Sequence, residues 1–255
     1  MQHTKNSFKQ ALRAGQQQYG LWLGFCNTIS AELCGHCGYD WLLIDAEHAP
    51  NDLNTIHQQL LAIENTPSHP VVRLVVGDAA QIKQILDLGA RSLLIPMIEN
   101  AEQAQDMVDA VRYPPAGKRG VGTALARAAR WNQVSDYMQH ADEEICLLLQ
   151  VESVSGLENL DAILAVDGVD GVFIGPADLA ASMGHLGNPS HPDVVAAVEN
   201  ALAKIGASAK AAGTLVGDPA LARHYEKSGV QFLALGIDTL ILARGAKQLL
   251  EQHLS

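Results

Sequence analysis

Three titratable side chains, Asp45, Glu47 and His48, follow directly on the apolar run Trp41-Leu42-Leu43-Ile44. Such a run reads as a strand buried on both faces, so the polar groups either mark its exit to solvent or line a site. Other apolar runs end in the same way. Arg73 lies inside VVRLVV, Glu99 follows SLLIPMI, Gln150 and Glu152 close ICLLLQVE, Asp178 stands just past Gly175-Pro176, and Asp238 follows FLALGI. Glu152 and Asp178 offer only carboxylate oxygens, which suits a hard cation such as Mg2+ or Mn2+ with positions left for water and substrate. Carboxylates at strand ends also cap loops, and spacing alone leaves both readings open. Arg73 needs a partner in its apolar setting: Asp45 or Glu47 in a structural ion pair, or a substrate carboxylate or developing oxyanion. His48 has the chemistry of a proton acceptor if a carboxylate orients it. Asp45 and Asp87 are the candidates for that partner, and the sequence does not choose between them.

Those residues must be positioned by the elements that carry them. Eight apolar runs recur, beginning at Gly20, Asp40, Pro70, Ser92, Ile145, Gly171, Gly213 and Phe232, with helical segments between them. Several helices open on a capping residue (Ser7 with Gln10, Ser30, Asn51, Asp78, Asn100, Asp218) and close on Gly or Asn. Strand-helix alternation implies parallel pairing, and eight units in one chain of 255 residues predict a single-domain (β/α)8 TIM barrel over 1–255, with a doubly wound open sheet as the rival. In a barrel the strand ends share one face, where the polar residues above would converge. None of the eight lysines lies in a strand run, so no amine is offered for a Schiff base in the dry interior. Residues 113–144 form an insertion longer than a connection requires, a candidate functional loop or lid. The last helix carries an apolar stripe from Leu240 to Leu250, which either closes the barrel or packs on another subunit.

A formal charge of −11, with 48% hydrophobic and 18% charged residues, argues against a nucleic-acid partner. No apolar run reaches the roughly 18 residues of a membrane span, and the amphipathic N-terminus has no apolar signal core, which points to the cytoplasm. Cys34-Gly35-His36-Cys37 has C-x-x-C spacing. No second pair accompanies it, so thiols packing a helix on a sheet are the better reading.

GLWLGF, DWLLIDAEHAPND, PVVR, IPMIENAEQA, RYPPAGKRGVG, LARAARWN, QVES, GVDGVFIGPADLAASMG and LGIDTLILARGA together resemble the HpcH/HpaI aldolase family over nearly the whole chain. The resemblance implies a metal-dependent (class II) pyruvate aldolase on a (β/α)8 barrel. It needs Mg2+, Mn2+ or Co2+, no organic cofactor, and 2-oxo acid and aldehyde substrates. It assigns Glu152 and Asp178 to the metal, His48 as base, Asp87 as the acid that raises its basicity, and Arg73 to transition-state stabilisation. Gln150, Ala177, Asp178 and Trp22 match substrate contacts, and Leu215 falls where the family lines the aldehyde pocket. It also implies a homo-oligomer, a hexamer built as a trimer of dimers with C-terminal helices exchanged between subunits. A 4-hydroxy-2-oxoheptane-1,7-dioate is the substrate it favours, with sugar acids or oxaloacetate decarboxylation as alternatives on the same site.

Overall fold

The computed structural model describes residues 5–254. The strands are β1 (Gln18–Leu23), β2 (Trp41–Asp45), β3 (His69–Arg73), β4 (Ser92–Ile95), β5 (Cys146–Val151), β6 (Gly171–Ile174), β7 (Ala211–Leu215) and β8 (Phe232–Ile237). All pair in parallel in chain order, and β8 returns to β1, closing the barrel. Before the barrel lies α1 (Ser7–Arg13), and α2 (Thr28–Gly35), α3 (Leu53–Ile63), α4 (Ala79–Asp87) and α5 (Ala101–Val111) each follow one of the first four strands. Next come α6 (Tyr137–Glu144), the pair α7 (Val154–Glu158) and α8 (Leu160–Leu164), and the pair α9 (Pro176–Ser182) and α10 (Pro192–Gly206). The set ends with α11 (Pro219–Lys227) and α12 (Asp238–Leu254). The single barrel replaces the open-sheet alternative.

The period-two alternation of strands sorts the core into two shells. Trp22, Trp41, Leu43, Val71, Leu148 and Phe173 fill the barrel, while Leu42, Ile44, Val72, Leu147 and Leu149 face the helices. A Cβ on Gly20 would fall inside the Trp41 indole, and one on Gly213 inside the Phe232 ring, so these glycines make room for the aromatic filling. Phe8 and Leu12 of α1 join that inner shell, Phe8 packing on Trp41, His69 and Phe232 at the end where the strands start. The same alternation carries inward the residues that end the strands: Asp45 has the parity of Leu43, Arg73 that of Val71, and Gln150 that of Leu148.

Three helix starts differ from expectation. Asn6 caps α1, Asn27 caps α2, and Asp52 caps α3 in a box with Thr55, in place of Ser7, Ser30 and Asn51. A capping side chain must sit on extended backbone one step before the helix, and Ser7 and Ser30 already lie inside theirs. Asp78, Asn100 and Asp218 cap as expected. Cys34 is buried against the barrel but Cys37 is exposed, and all four cysteines are free thiols.

The insertion folds onto the strand-start end of the barrel. Arg119 reaches Asp87 at 3.0 Å, and Arg127 and Arg130 both pair with Glu64 at the end of α3. In this chain it is therefore not a lid over the strand ends. Nor does α12 close the barrel: Leu240, Ile241, Leu242, Leu249 and Leu250 are 45% to 61% exposed. No helix among the described residues is long and apolar enough to cross a membrane.

Candidate active site

Where β2 and β3 end, Asp45 and Arg73 are register partners, both buried and both directed inward. Arg73 donates from Nε to Asp45 Oδ1 at 2.9 Å and from Nη2 to Asp45 Oδ2 at 2.7 Å. Its Nη1 lies 2.8 Å from Glu47 Oε2. The ion pair weighed as the structural alternative is thus present, with both acids rather than one. The two bonds to Asp45 are hydrogen bonds, whereas Glu47 Oε2 is an ionic contact without a hydrogen-bond partner, so the terminal nitrogens keep N–H bonds to offer a ligand. Trp22 is buried in the barrel beneath this group, the guanidinium carbon 5.3 Å from its ring centroid, so cation–π attraction adds to the two carboxylates in fixing the arginine.

On the other side of the mouth, β5 ends at Val151 and delivers Glu152 into the interior, 2% exposed. Gln150 Nε2 donates to Glu152 Oε2 at 2.5 Å, and the Met97 N–H donates to Oε1 at 3.0 Å. That second donor depends on Met97 holding a left-handed backbone, φ +56°. Gly175 supplies the room, because a Cβ there would stand 2.9 Å from Glu152 Cβ and closer still to Oε2. From Gly175 the chain enters α9, whose first turn presents Ala177 and Asp178.

Burial pushes the Glu152 carboxyl up to about 7 against the opposing bonds from Gln150 and Met97, with the charges of Glu47 and Asp178 adding to the rise. Burial likewise raises the Glu47 carboxyl, although Arg73 pulls it the other way. Arg73 pairs with Asp45 and Glu47, Asp178 acts on the charges of both Glu47 and Glu152, and Gln150 Oε1 is buried without a partner. Surplus negative charge on hard oxygen donors fits a divalent cation held by Glu152 and Asp178.

His48 stands at the rim with its side chain 64% exposed. Neither expected partner orients it in this chain. Asp45 spends both oxygens on Arg73, and its Oδ1 also accepts the Glu47 and His48 backbone N–H groups. Asp87 closes α4, and a helix that follows a strand runs back antiparallel to it. Its last turn therefore lies at the strand-start end, where Asp87 accepts from Arg119. The acid beside the ring is Glu47, with Oε2 4.0 Å from Nε2. Leu215 ends β7 half-buried against the barrel interior, at the same mouth.

Two other strand-end acids have structural roles. Glu99 accepts from Ser153 Oγ at 2.7 Å, and Asp238 accepts from the Gly24 and Thr239 N–H groups. The Met97 donor and the Gly175 recess were not foreseen: a left-handed methionine has no sequence signal, whereas the Gly-Pro dipeptide was a visible one.

The profile of the HpcH/HpaI aldolase/citrate lyase family matches residues 18–244. The chain belongs to this family. It is 58% identical to a hydroxypyruvate/pyruvate aldolase of Pseudomonas aeruginosa, over 96% of this chain and 91% of that one. It is 57% identical to a 4-hydroxy-2-oxo-heptane-1,7-dioate aldolase of Salmonella dublin, over 96% of this chain and 93% of that one. An HpcH/HpaI aldolase/citrate lyase family protein from Burkholderia cenocepacia J2315 superposes with a TM-score of 0.95 at 42% identity, covering 98% of this chain and 100% of the other. The span matched to this HpcH/HpaI family contains all eight strands together with Asp45, Glu47, His48, Arg73, Glu152 and Asp178.

Proposed function

We propose that this chain is a divalent-metal-dependent aldolase that cleaves a 4-hydroxy-2-oxo acid, 4-hydroxy-2-oxoheptane-1,7-dioate first among them, to pyruvate and an aldehyde. The observation that carries this reading is one mouth holding a fixed arginine, a surplus of carboxylates and an exposed histidine. Two aldolases at 57% and 58% identity support it.

Glu152 and Asp178 would hold the cation, Mg2+, Mn2+ or Co2+, which supplies polarisation of the 2-oxo group and charge to offset the forming enolate. Gln150 and the backbone at Ala177 are the proposed contacts for the substrate's carboxylate end. His48 takes the proton of the C4 hydroxyl, directly or through a water. The C3–C4 bond then breaks, its electron pair passing toward the C2 oxygen as the aldehyde forms. Arg73, locked by Asp45 and Glu47, presents its remaining N–H bonds to that oxygen without reorganising. A proton returned to C3 yields pyruvate. Leu215 lines the aldehyde side.

One observation favours a second donor or a smaller acceptor. The arginines of the insertion, candidates for the distal carboxylate of a seven-carbon diacid, are occupied elsewhere: Arg119 by Asp87, Arg127 and Arg130 by Glu64. Either a neighbouring subunit supplies that cation, or the acceptor carries no second carboxylate and hydroxypyruvate serves beside pyruvate. Partner subunits are proposed to pack on α12 by helix exchange, in a hexamer built as a trimer of dimers. The four free thiols fit a reducing cytoplasm.

The test is aldol cleavage before and after EDTA. Chelation abolishes it, and Mg2+, Mn2+ or Co2+ restores it; full activity after chelation rejects the metal role. Borohydride with pyruvate labels no lysine, and a covalent adduct would restore the Schiff-base class. Turnover across succinate semialdehyde, uncharged aldehydes, hydroxypyruvate and oxaloacetate ranks the substrates.

A further inference from the structure

The loop 183–191 joins α9 to α10 on the rim of the strand-end face. It holds two histidines and leads into an aspartate that no step above uses. His185 follows Gly184, at φ +83°, and Gly187, at φ +75°, follows two residues later. The loop is folded on itself: the His185 N–H bonds to Ala180 O at 2.7 Å, Asn188 to His185 O at 2.9 Å and His191 to Asn188 O at 3.1 Å. Pro192 then fixes the backbone entering α10.

This brings the His185 and His191 rings into a stack, centroids 3.6 Å apart and 14° from parallel. Asp193 Oδ2 lies 3.7 Å from His185 Nε2 and 3.7 Å from His191 Nδ1. One donor atom from each of the three residues falls within 4.8 Å of the others. No other such grouping of three or more His, Cys, Asp or Glu occurs among the described residues.

We infer that His185, His191 and Asp193 bind a divalent transition ion of the zinc class, at a site separate from Glu152 and Asp178. Contacts of 3.7 Å are too long for hydrogen bonds. They are close to the edge of about 3.3 to 3.5 Å between ligands of a tetrahedral ion with bonds of about 2.0 to 2.1 Å; the near-parallel rings must turn out of their stack to aim both lone pairs at one ion, a rotation open to the partly exposed side chains. Two imidazoles and one carboxylate leave a fourth position for water, and nitrogen donors select Zn2+, Ni2+ or Co2+ over Mg2+. Two features oppose binding. His191 Nδ1 already accepts the Asp193 N–H at 3.3 Å, a long cap that the ion must displace. The positive end of α10 also repels a cation, an effect the Asp193 carboxylate counters.

The experiment is calorimetric titration of the full chain with Zn2+ in saturating Mg2+, which occupies the oxygen-donor site and not the nitrogen-donor one. One zinc per chain is expected to bind, with Co2+ giving the intense visible absorption of a tetrahedral ion. His185→Asn with His191→Asn weakens zinc at least a hundredfold, and Asp193→Asn about tenfold, while circular dichroism and Tm without metal stay as in the parent. Glu152→Gln retains the zinc equivalent. The inference is overturned if the double variant binds zinc as the parent does, if Glu152→Gln abolishes the equivalent, or if no zinc binds beyond what Mg2+ displaces. In those cases the stacked rings serve only to cap α10.

Discussion

Replacing Gly175 with alanine presses on the proposed metal ligand without touching its chemistry. The new Cβ would stand 2.9 Å from Glu152 Cβ, closer to Oε2, and 3.2 Å from Gln150 Nε2. The carboxylate can swing aside, because it is the far end of a flexible chain; its own Cβ, fixed by the end of β5, cannot. Overpacking of this kind costs about 1–3 kcal/mol of stability, so the protein still folds. Displacing the carboxylate breaks the bonds from Gln150 and Met97, and losing such outer support costs about 10- to 100-fold in metal affinity. Cation titration monitored by calorimetry, alongside urea unfolding, separates the two effects. Gly206→Ala is the control: it lies in α10 with nothing within 4 Å of the added methyl, and Gly-to-Ala at such a site stabilises by about 0.4–1 kcal/mol. If Gly175→Ala leaves cation affinity unchanged while losing stability, the recess serves packing alone and Glu152 is not held for a metal.

Arg73→Leu leaves the buried Asp45 and the partly buried Glu47 without their cation and destabilises by about 3–5 kcal/mol. Arg73→Lys keeps the charge, folds, and loses about 10²- to 10³-fold in kcat; a change confined to KM would make Arg73 a binding residue. In the metal-free protein, burial holds Glu152 at about 7 against an ordinary 4.5, so the folded state binds this proton more tightly than the unfolded one. Its contribution is fully present below 4.5 and is lost as pH rises through 7, about 3 kcal/mol in all. Thermal unfolding in EDTA should show that fall, Glu152→Gln should flatten it, and an unchanged slope in the variant would reject the assignment. Leu249→Glu with Leu250→Glu on α12 should lower the mass measured by light scattering, and an unaltered assembly would mean that no partner covers this face.

The barrel and the polar strand-end face were legible because parity is simple: Trp41 and Leu43 point inward, so Asp45 must, and the same count delivers Arg73 and Gln150. The Arg73 partners were legible as types, since a buried guanidinium demands acids, but the simultaneous grip of Asp45 and Glu47 needed coordinates. Asp87 was misplaced as a neighbour of His48 within one chain, although the return direction of α4 was deducible. The insertion was opaque for another reason. Its position rests on Arg127 and Arg130 meeting Glu64 more than 60 residues away in sequence, a pairing no local pattern announces. The apolar stripe of α12 looks the same whether its cover is the same chain or another.

Loss of the methyl protons of pyruvate in D2O, followed by NMR without any aldehyde, reports enolate formation alone. Exchange should require a divalent ion and disappear in Glu152→Gln, Asp178→Asn and Arg73→Lys. Exchange persisting at the parent rate after chelation, or in those variants, would contradict a pyruvate enolate held by a cation on Glu152 and Asp178 and by Arg73.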